Sequence, residues 1–153
     1  MLKTKNLKVK IEDEEIIHDV SMEAEKGAVT VIMGPNGSGK STLAHAIMGS
    51  PTLQVEGEIL MGGESILDMD VDERAKKGLY LSFQHPEEFE GVTVSSFLRT
   101  ALNSVSEEKV NVMKFNKLLM ARMEALGIKK EFGSRSLNQG FSGGEQKKME
   151  MLQ

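Results

Sequence analysis

Residues 28 to 48 join an apolar run, a glycine-rich loop and a helical pattern, and few folds accommodate that succession. The loop satisfies the spacing G-x-x-x-x-G-K-[ST], with Gly34, Gly39, Lys40 and Ser41 at its fixed positions. Glycine allows backbone angles that other residues resist, so successive N–H groups can converge on one anion. The helix behind the loop adds the positive end of its dipole. The stretch therefore predicts a phosphate-binding loop between a buried strand and a helix.

The side chains that follow the loop specify the anion further. Lys40 is suited to place a compact charge on the β- and γ-phosphates, and the Ser41 hydroxyl is suited to bind Mg²⁺. We expect a nucleoside triphosphate with its magnesium ion. The predicted nucleotide-binding residues are Gly34, Pro35, Asn36, Gly37, Ser38, Gly39, Lys40, Ser41 and Thr42.

Length and composition exclude several classes of protein. With 153 residues, 39% hydrophobic and 27% charged, the chain has the size and composition of one water-soluble domain. No apolar stretch approaches the ~20 residues that span a bilayer, and the N-terminus lacks a secretory signal pattern. We therefore expect a cytoplasmic protein with no direct membrane insertion. The chain has no cysteine to hold a metal cluster. Its net charge is −4 and the sequence contains no basic stripe, which argues against a nucleic acid partner.

Hydrophobic periodicity predicts a mixed α/β segment before and after the loop. Residues 7 to 24 alternate as antiparallel strands do, whereas residues 29 to 33 are almost continuously apolar, as in the middle of a parallel sheet. Residues 56 to 67 indicate a hairpin, and residues 71 to 77 a short helix. Residues 79 to 83 predict a second core strand with Gln84 at its carboxyl end. There the Gln84 amide could reach the magnesium ion or an attacking water.

The period becomes helical from Thr93 onward. One apolar stripe covers residues 94 to 102 and a second covers 112 to 126, which predicts an inserted helical subdomain over 93–140. Ser142, Gly143 and Gly144 then open a segment rich in helix formers, and this predicts a second helix N-terminus prepared for an anion.

Three elements now stand in order: the phosphate loop, Gln84, and Ser142-Gly143-Gly144-Glu145. This order resembles that of ABC-type ATPases, in which the elements are the Walker A motif, the Q-loop glutamine and the signature motif. The resemblance implies a P-loop NTPase fold of ABC type, with N-terminal antiparallel strands, a partial parallel core sheet and an inserted helical subdomain. It divides one domain, 1–153, into a nucleotide-binding α/β part (1–92), the helical subdomain (93–140) and the signature segment (141–153).

The same resemblance implies how ATP and Mg²⁺ are held. Ser41 and Gln84 would bind the metal ion. Two copies would pair head to tail in an ATP-dependent dimer, with ATP between the phosphate loop of one copy and the Ser142 helix of the other. Ser142, Gly143, Gly144 and Glu145 would therefore act in trans, on the nucleotide of the partner.

The neighbourhood of the signature is similar to the SufC family, the ATPases of the Suf iron–sulfur cluster assembly system. The resemblance rests on residues 138–145, on Lys147-Lys148 with Met151-Leu152-Gln153, and on the stretch SFQHPEEFEGVTVSSFLRTALN. It implies an ATP-binding subunit that energises cluster assembly with SufB/SufD-like scaffold proteins. Two alternatives remain open: the nucleotide-binding subunit of an ABC transporter, and a remnant that binds nucleotide without hydrolysing it.

In ABC ATPases the signature helix is followed by the Walker B strand with its Asp and catalytic Glu, the D-loop and the switch His. None of these follows Gln153 in this sequence. We therefore expect a C-terminally incomplete domain that is marginally stable and hydrolyses little ATP, because the attacking water needs a carboxylate to orient it. No catalytic residue is assigned, and Glu145 is not a substitute because the resemblance places it across the dimer interface.

Overall fold

The computed structural model describes residues 1–83, 87–106 and 108–152. These residues form two compact units, of which the first comprises Met1–Leu81 and the second begins at Ser82. Each unit has a hydrophobic core of its own. None of the described helices is long and apolar enough to cross a membrane.

The first unit is built on an antiparallel sheet of four strands. These are β1 (Leu2–Ile11), β2 (Glu14–Ala24), β3 (Gln54–Met61) and β4 (Glu64–Ser65), in the spatial order β2-β1-β3-β4. The alternation in β1 directs Leu7 and Val9 into the core. Gly62 and Gly63, both with positive φ, form the turn between β3 and β4. The predicted N-terminal strands and the predicted hairpin are therefore confirmed.

Two helices complete this unit; the first stops at the predicted glycine, and the second ends one residue before its predicted end at Lys77. Helix α1 (Lys40–Met48) follows the phosphate loop and stops at Gly49, which adopts φ 83°. Helix α2 (Val71–Lys76) starts after Asp70, whose backbone N–H donates to the Glu73 carboxylate at 2.9 Å. The buried core of the unit consists of Leu7, Val9, Ile17, Leu43, Ala46, Ile59 and Ile66.

The partial parallel core sheet that the sequence predicts is not formed by the described residues. Neither residues 28–33 nor residues 79–83 are strands, and every strand pair in the described structure is antiparallel. The side chains of Val29 and Met33 are 92% and 87% exposed. The physical reason is that an apolar run becomes a strand only when a neighbouring backbone pairs its N–H and C=O groups, and neither segment has such a neighbour among residues 1–83, 87–106 and 108–152.

The second unit contains the two predicted amphipathic helices, α3 (Val94–Val105) and α4 (Val112–Ala125). Thr93 caps α3 by accepting a hydrogen bond from the Ser96 N–H, and Asn111 caps α4 in the same way. Beside them lies a strand pair, β5 (Phe89–Thr93) with β6 (Ser136–Leu137). A 3₁₀ turn at Lys130–Ser134 also packs there. Helix α5 (Gly143–Leu152) follows. The subdomain boundaries at 93 and 140 stay a prediction.

Candidate functional site

The phosphate loop adopts a conformation that requires glycine at several positions. Gly37 and Gly39 have φ of 82° and 84°, in the left-handed region. A Cβ atom on Gly34 would lie 2.8 Å from the Ser38 Oγ, which is closer than van der Waals contact allows. The Gly39 carbonyl accepts the Leu43 N–H at 2.8 Å and so begins α1. The positive φ explains why glycine suits positions 37 and 39 of the loop, whereas a side chain at position 34 would have to displace the Ser38 hydroxyl.

The Lys40 side chain turns back from the first turn of α1 into this loop. Its ammonium donates hydrogen bonds to the Gly34 carbonyl at 2.8 Å and to the Pro35 carbonyl at 2.6 Å, and it lies 3.4 Å from the Ser38 Oγ. The positive charge is thus placed within the loop rather than in solvent beside it. Backbone N–H groups of the first turn of α1 and the helix dipole add to the same positive field.

The residues of the loop fit a phosphate group. The Cα of Gly34 faces a space that a side chain would fill, and the ammonium of Lys40 is the charge that phosphate oxygens require. Ser41 is exposed at the first turn of α1, so its hydroxyl is accessible to a cation that accompanies the phosphates. Among the described residues, no cluster of three or more His, Asp or Glu side chains offers a separate metal site.

A cavity of about 370 Å³ lies directly beside the loop. Its walls are mostly apolar and come from β2, α1, residues 30–33 and, at one side, Ser38 and Gly39 of the loop; the apolar lining includes Ile17, Val20, Met22, Val31, Ile32 and Leu43. A triphosphate carries several charges, and apolar walls would remove water from them without replacing its hydrogen bonds. The exposed face of the loop, and not this cavity, is therefore the candidate phosphate site.

The second predicted metal ligand, Gln84, lies outside the described residues. The structure reaches Phe83 on one side of it and resumes at Glu87 on the other. The prediction that the Gln84 amide binds Mg²⁺ therefore stays a prediction.

The Ser142 segment begins α5 as expected and has the geometry of a capping box. The Ser142 backbone N–H and Oγ–H both donate to the Glu145 carboxylate at 2.8 Å, and the Glu145 N–H lies 3.4 Å from the Ser142 Oγ. These donors hold the pKa of Glu145 below its ordinary value, with the backbone hydrogen bond from Ser142 as the largest cause. A Cβ atom on Gly143 or Gly144 would meet nothing within 4 Å. The two glycines therefore leave this helix N-terminus open to the approach of another molecule.

The structure also shows two buried charged side chains that sequence reasoning missed. Arg74 on α2 donates to carbonyl groups at the end of α1, and Glu150 on α5 accepts hydrogen bonds from Ser82 and Lys147. Both lie among polar residues of short helices, and hydrophobic periodicity in the sequence does not indicate which charged residue of such a helix is buried. No pattern in one sequence would have identified them.

Comparison with known proteins agrees with this geometry. Residues 17–153 match the family described as "ABC transporter". A probable ABC transporter ATP-binding protein of Streptococcus pyogenes serotype M3 is 48% identical over 156 residues, which cover 100% of this chain and 61% of that protein. Vegetative protein 296 of Bacillus subtilis is 47% identical, over 99% of this chain and 59% of that protein. A probable ATP-dependent transporter, ycf16, of Trieres chinensis is 40% identical, over 100% and 63%. The chain thus spans about three fifths of the length of these relatives.

Solved structures show the same fold. The dimeric structure of MJ0796, a bacterial ABC transporter cassette, superposes with a TM-score of 0.81 at 24% identity, over 99% of this chain and 68% of that one. The ATP-binding cassette MJ1267 gives 0.78 at 27% identity, over 99% and 63%. The predicted fold class, a P-loop NTPase of ABC type, is confirmed by these neighbours. With the phosphate loop, the Ser142 helix and the family match on residues 17–153 in agreement, the chain belongs to the ABC transporter family of ATP-binding proteins.

Proposed function

We propose that this chain is an ATP-binding subunit of ABC type that energises iron–sulfur cluster assembly in the cytoplasm. The observation that carries nucleotide binding is the placement of the Lys40 ammonium inside the glycine-rich loop, where it donates to the Gly34 and Pro35 carbonyls. The observation that favours a Suf-type subunit is the Phe141-Ser142-Gly143-Gly144-Glu145 signature, whose Glu145 carboxylate caps its own helix.

In this proposal the residues Gly34, Pro35, Asn36, Gly37, Ser38 and Gly39 surround the phosphates, and Lys40 balances their charge. Ser41 and Gln84 bind Mg²⁺, and Thr42 lies beside them in the first turn of α1. Bound MgATP would supply the phosphoanhydride bond whose hydrolysis energises cluster assembly. The residues of this chain bind the phosphates and orient them, and no catalytic carboxylate is assigned among them.

The Ser142 segment completes the site in a head-to-tail dimer. The neighbour MJ0796 is described as dimeric, and a second structure of that protein, 25% identical to this chain, is described as bound to ADP and Pi. In our proposal Ser142, Gly143, Gly144 and Glu145 of one protomer face the nucleotide on the phosphate loop of its partner. An open helix N-terminus without side chains at two positions suits that approach.

Equilibrium binding of MgATP to the Lys40→Ala variant tests the nucleotide site. Loss of a charged hydrogen-bond donor to phosphate is expected to weaken binding about 10- to 100-fold. Lys8→Ala is the matched control, because Lys8 is an exposed lysine on β1 and lies outside the loop. Equal affinities in Lys40→Ala and the unchanged protein would contradict the proposal.

A second candidate function is that of a nucleotide-binding subunit of an ABC transporter, and the names of the streptococcal and ycf16 relatives favour it. Affinity purification of the tagged chain from both the soluble and the membrane fraction, with identification of what is retained, decides between the two. Retention of SufB/SufD-like scaffold proteins in the soluble fraction supports cluster assembly. Retention of a membrane-embedded permease supports transport and would overturn our assignment.

A further inference from the structure

Helix α5 is hydrogen-bonded to the backbone that precedes Gln84. The Glu150 carboxylate on α5 accepts hydrogen bonds from the Ser82 hydroxyl at 2.9 Å and from the Lys147 ammonium at 2.7 Å. Lys147 donates also to the Phe83 carbonyl, at 3.3 Å. All of these residues belong to the second unit. Two side chains of α5 thus reach the residue directly before Gln84.

The Glu150 carboxylate is itself buried, with 6% of the residue exposed. Its pKa lies below the ordinary value, first because Lys147 donates to it, while burial acts in the opposite direction. The Ser82 hydroxyl and the Phe83 backbone N–H also favour the charged form. Loss of one of its donors is expected to be destabilising, because the buried charge would be less well compensated.

The backbone at Glu87, after Gln84, is held by Asn138, which precedes helix α5 in the chain. Asn138, which is 3% exposed, donates from its Nδ2 to the Glu87 carbonyl at 2.7 Å. Its φ of 61° lies in the left-handed region, which asparagine tolerates better than most residues. Its Oδ1 is buried without a hydrogen-bond partner in the described structure. Among the described residues, the hydrogen bond to the Glu87 carbonyl is the one that orients this side chain.

Next to this contact, the chain from Glu87 onward pairs with residues 135 to 137. Gly91 donates to the Ser136 Oγ at 3.3 Å, and the Val94 N–H donates to the Arg135 carbonyl at 3.0 Å. Strands β5 and β6 continue the pairing. Residues 82–83 and 87–94 are therefore both attached to the segment 135–150, and that segment contains the Ser142 helix N-terminus.

From this arrangement we propose that Asn138, Lys147 and Glu150 are positioning residues that couple the Ser142 helix to the backbone at Phe83 and Glu87. The inference rests on the proposed function, because the event to be transmitted is the engagement of a nucleotide by the Ser142 helix. When an anion orders the start of α5, Lys147 and Glu150 on that helix order the backbone up to Phe83, and Asn138, which precedes the helix, orders the backbone at Glu87. The three side chains act through backbone contacts and need not touch the nucleotide.

Amide hydrogen exchange of the full chain tests the link without nucleotide. In Glu150→Gln, and in the milder Ser82→Ala, the Phe83 amide is expected to exchange about five- to tenfold faster, as for the loss of one hydrogen bond. Asn138→Gly keeps the positive φ accessible and removes the donor to Glu87, so the amides of residues 87–93 are expected to exchange faster.

Lys148→Met is the matched control, because Lys148 contacts the Gly127 carbonyl instead. Unchanged exchange at Phe83 in both Glu150→Gln and Ser82→Ala would overturn the link.

Addition of MgATP then separates coupling from a merely structural role. In the unchanged protein we expect slower exchange at residues 82–83 and 87–93 with MgATP, and we expect the variants to bind MgATP with unchanged affinity but to lose that response. MgATP binding without any response in the unchanged protein would overturn the coupling and leave the proposed function intact. Absence of MgATP binding would overturn the proposed function, and the nucleotide-free exchange would still decide whether the link exists.

Discussion

Arg74 shows how a single side chain joins distant parts of the first unit. It is 3% exposed, and its guanidinium donates to four backbone carbonyls: Met69 at 2.9 Å, Leu67 at 2.7 Å, Ala46 at 3.0 Å and Ile47 at 2.8 Å. The last two carbonyls belong to the C-terminal end of α1, where a positive charge is favourable. Burial lowers the pKa of Arg74. The helix that carries the phosphate loop at one end is thus anchored by a cation at the other.

Replacement of Arg74 by methionine is expected to lower the free energy of unfolding by about 3–5 kcal/mol, because it leaves buried carbonyls without donors. Arg74→Lys keeps the charge but not the planar fork, so its loss is smaller. Urea unfolding followed by circular dichroism measures both. Lys76→Met is the control, since the Lys76–Asp72 pair on the same helix is exposed and solvent screens its attraction. Similar losses for Arg74→Met and Lys76→Met would contradict the anchoring role.

The capping contact at Ser142 predicts a pH dependence. Since the pKa of Glu145 is lowered in the folded protein, its contribution to stability is complete above the unfolded value of about 4.5 and decreases as the pH falls through the folded value. Ser142→Ala removes one donor, so the pKa of Glu145 is expected to rise toward its ordinary value. A carboxyl titration by NMR in both proteins measures the shift. A titration unchanged by the substitution would show that the Ser142 hydroxyl does not bond the carboxylate.

Among the elements, the pairing of β1 with β3 depends on a close approach of two backbones. The register shifts between Lys5 and Lys8, where Asn6 has φ 47°. Opposite it, Gly57 has φ 106°, and a Cβ atom there would lie 2.6 Å from the Asn6 carbonyl oxygen. At this bulge the backbones of β1 and β3 approach so closely that β3 has no space for a side chain at position 57.

Gly57→Ala is expected to destabilise the protein by about 2–4 kcal/mol, because it combines an unfavourable φ with a backbone clash. Gly62→Ala in the β3–β4 turn is the matched control. Gly62 has φ 63° and open space around its Cα, so the expected loss is only about 1 kcal/mol. Thermal unfolding of the two variants compares them directly. The prediction fails if Gly62→Ala costs as much as Gly57→Ala.

The elements differ in how well sequence patterns predicted them. The boundaries of α1 and α2 were predictable because glycines at 49 and 78 and a capping residue at Asp70 act locally. The prediction of a strand at residues 28–33 was wrong. Their apolar composition indicates a strand, but strand formation depends on a partner that is remote in sequence.

For the whole molecule, the proposed site is composite. The phosphate loop belongs to the first unit and the Ser142 helix to the second. In the proposed head-to-tail dimer, each nucleotide would contact the loop of one protomer and the helix of the other. A defect in the loop and a defect in the helix therefore affect different halves of the same site.

Mixing two defective variants tests this arrangement. Lys40→Ala and Ser142→Ala are each expected to reduce ATP-dependent dimerisation. In a one-to-one mixture, heterodimers contain one site with both defects and one intact site, so association is expected to recover in part. Analytical ultracentrifugation with MgATP measures the recovery. A mixture no better than the average of the two variants would exclude a site shared between protomers.

The sequence by itself determined the features that depend on neighbouring residues: the phosphate loop from Gly34 to Ser41, the antiparallel strands of the first unit, the helix ends, and the Ser142 helix N-terminus. Spacing and backbone angles over a few residues are enough to specify them. Only the tertiary structure decided that the Lys40 ammonium returns to the Gly34 and Pro35 carbonyls and that Arg74 and Glu150 are buried. It also decided that residues 28–33 have no strand neighbour in the part of the chain that the structure describes. These features depend on how the folded chain places particular atoms in space, and a one-dimensional pattern does not carry that information.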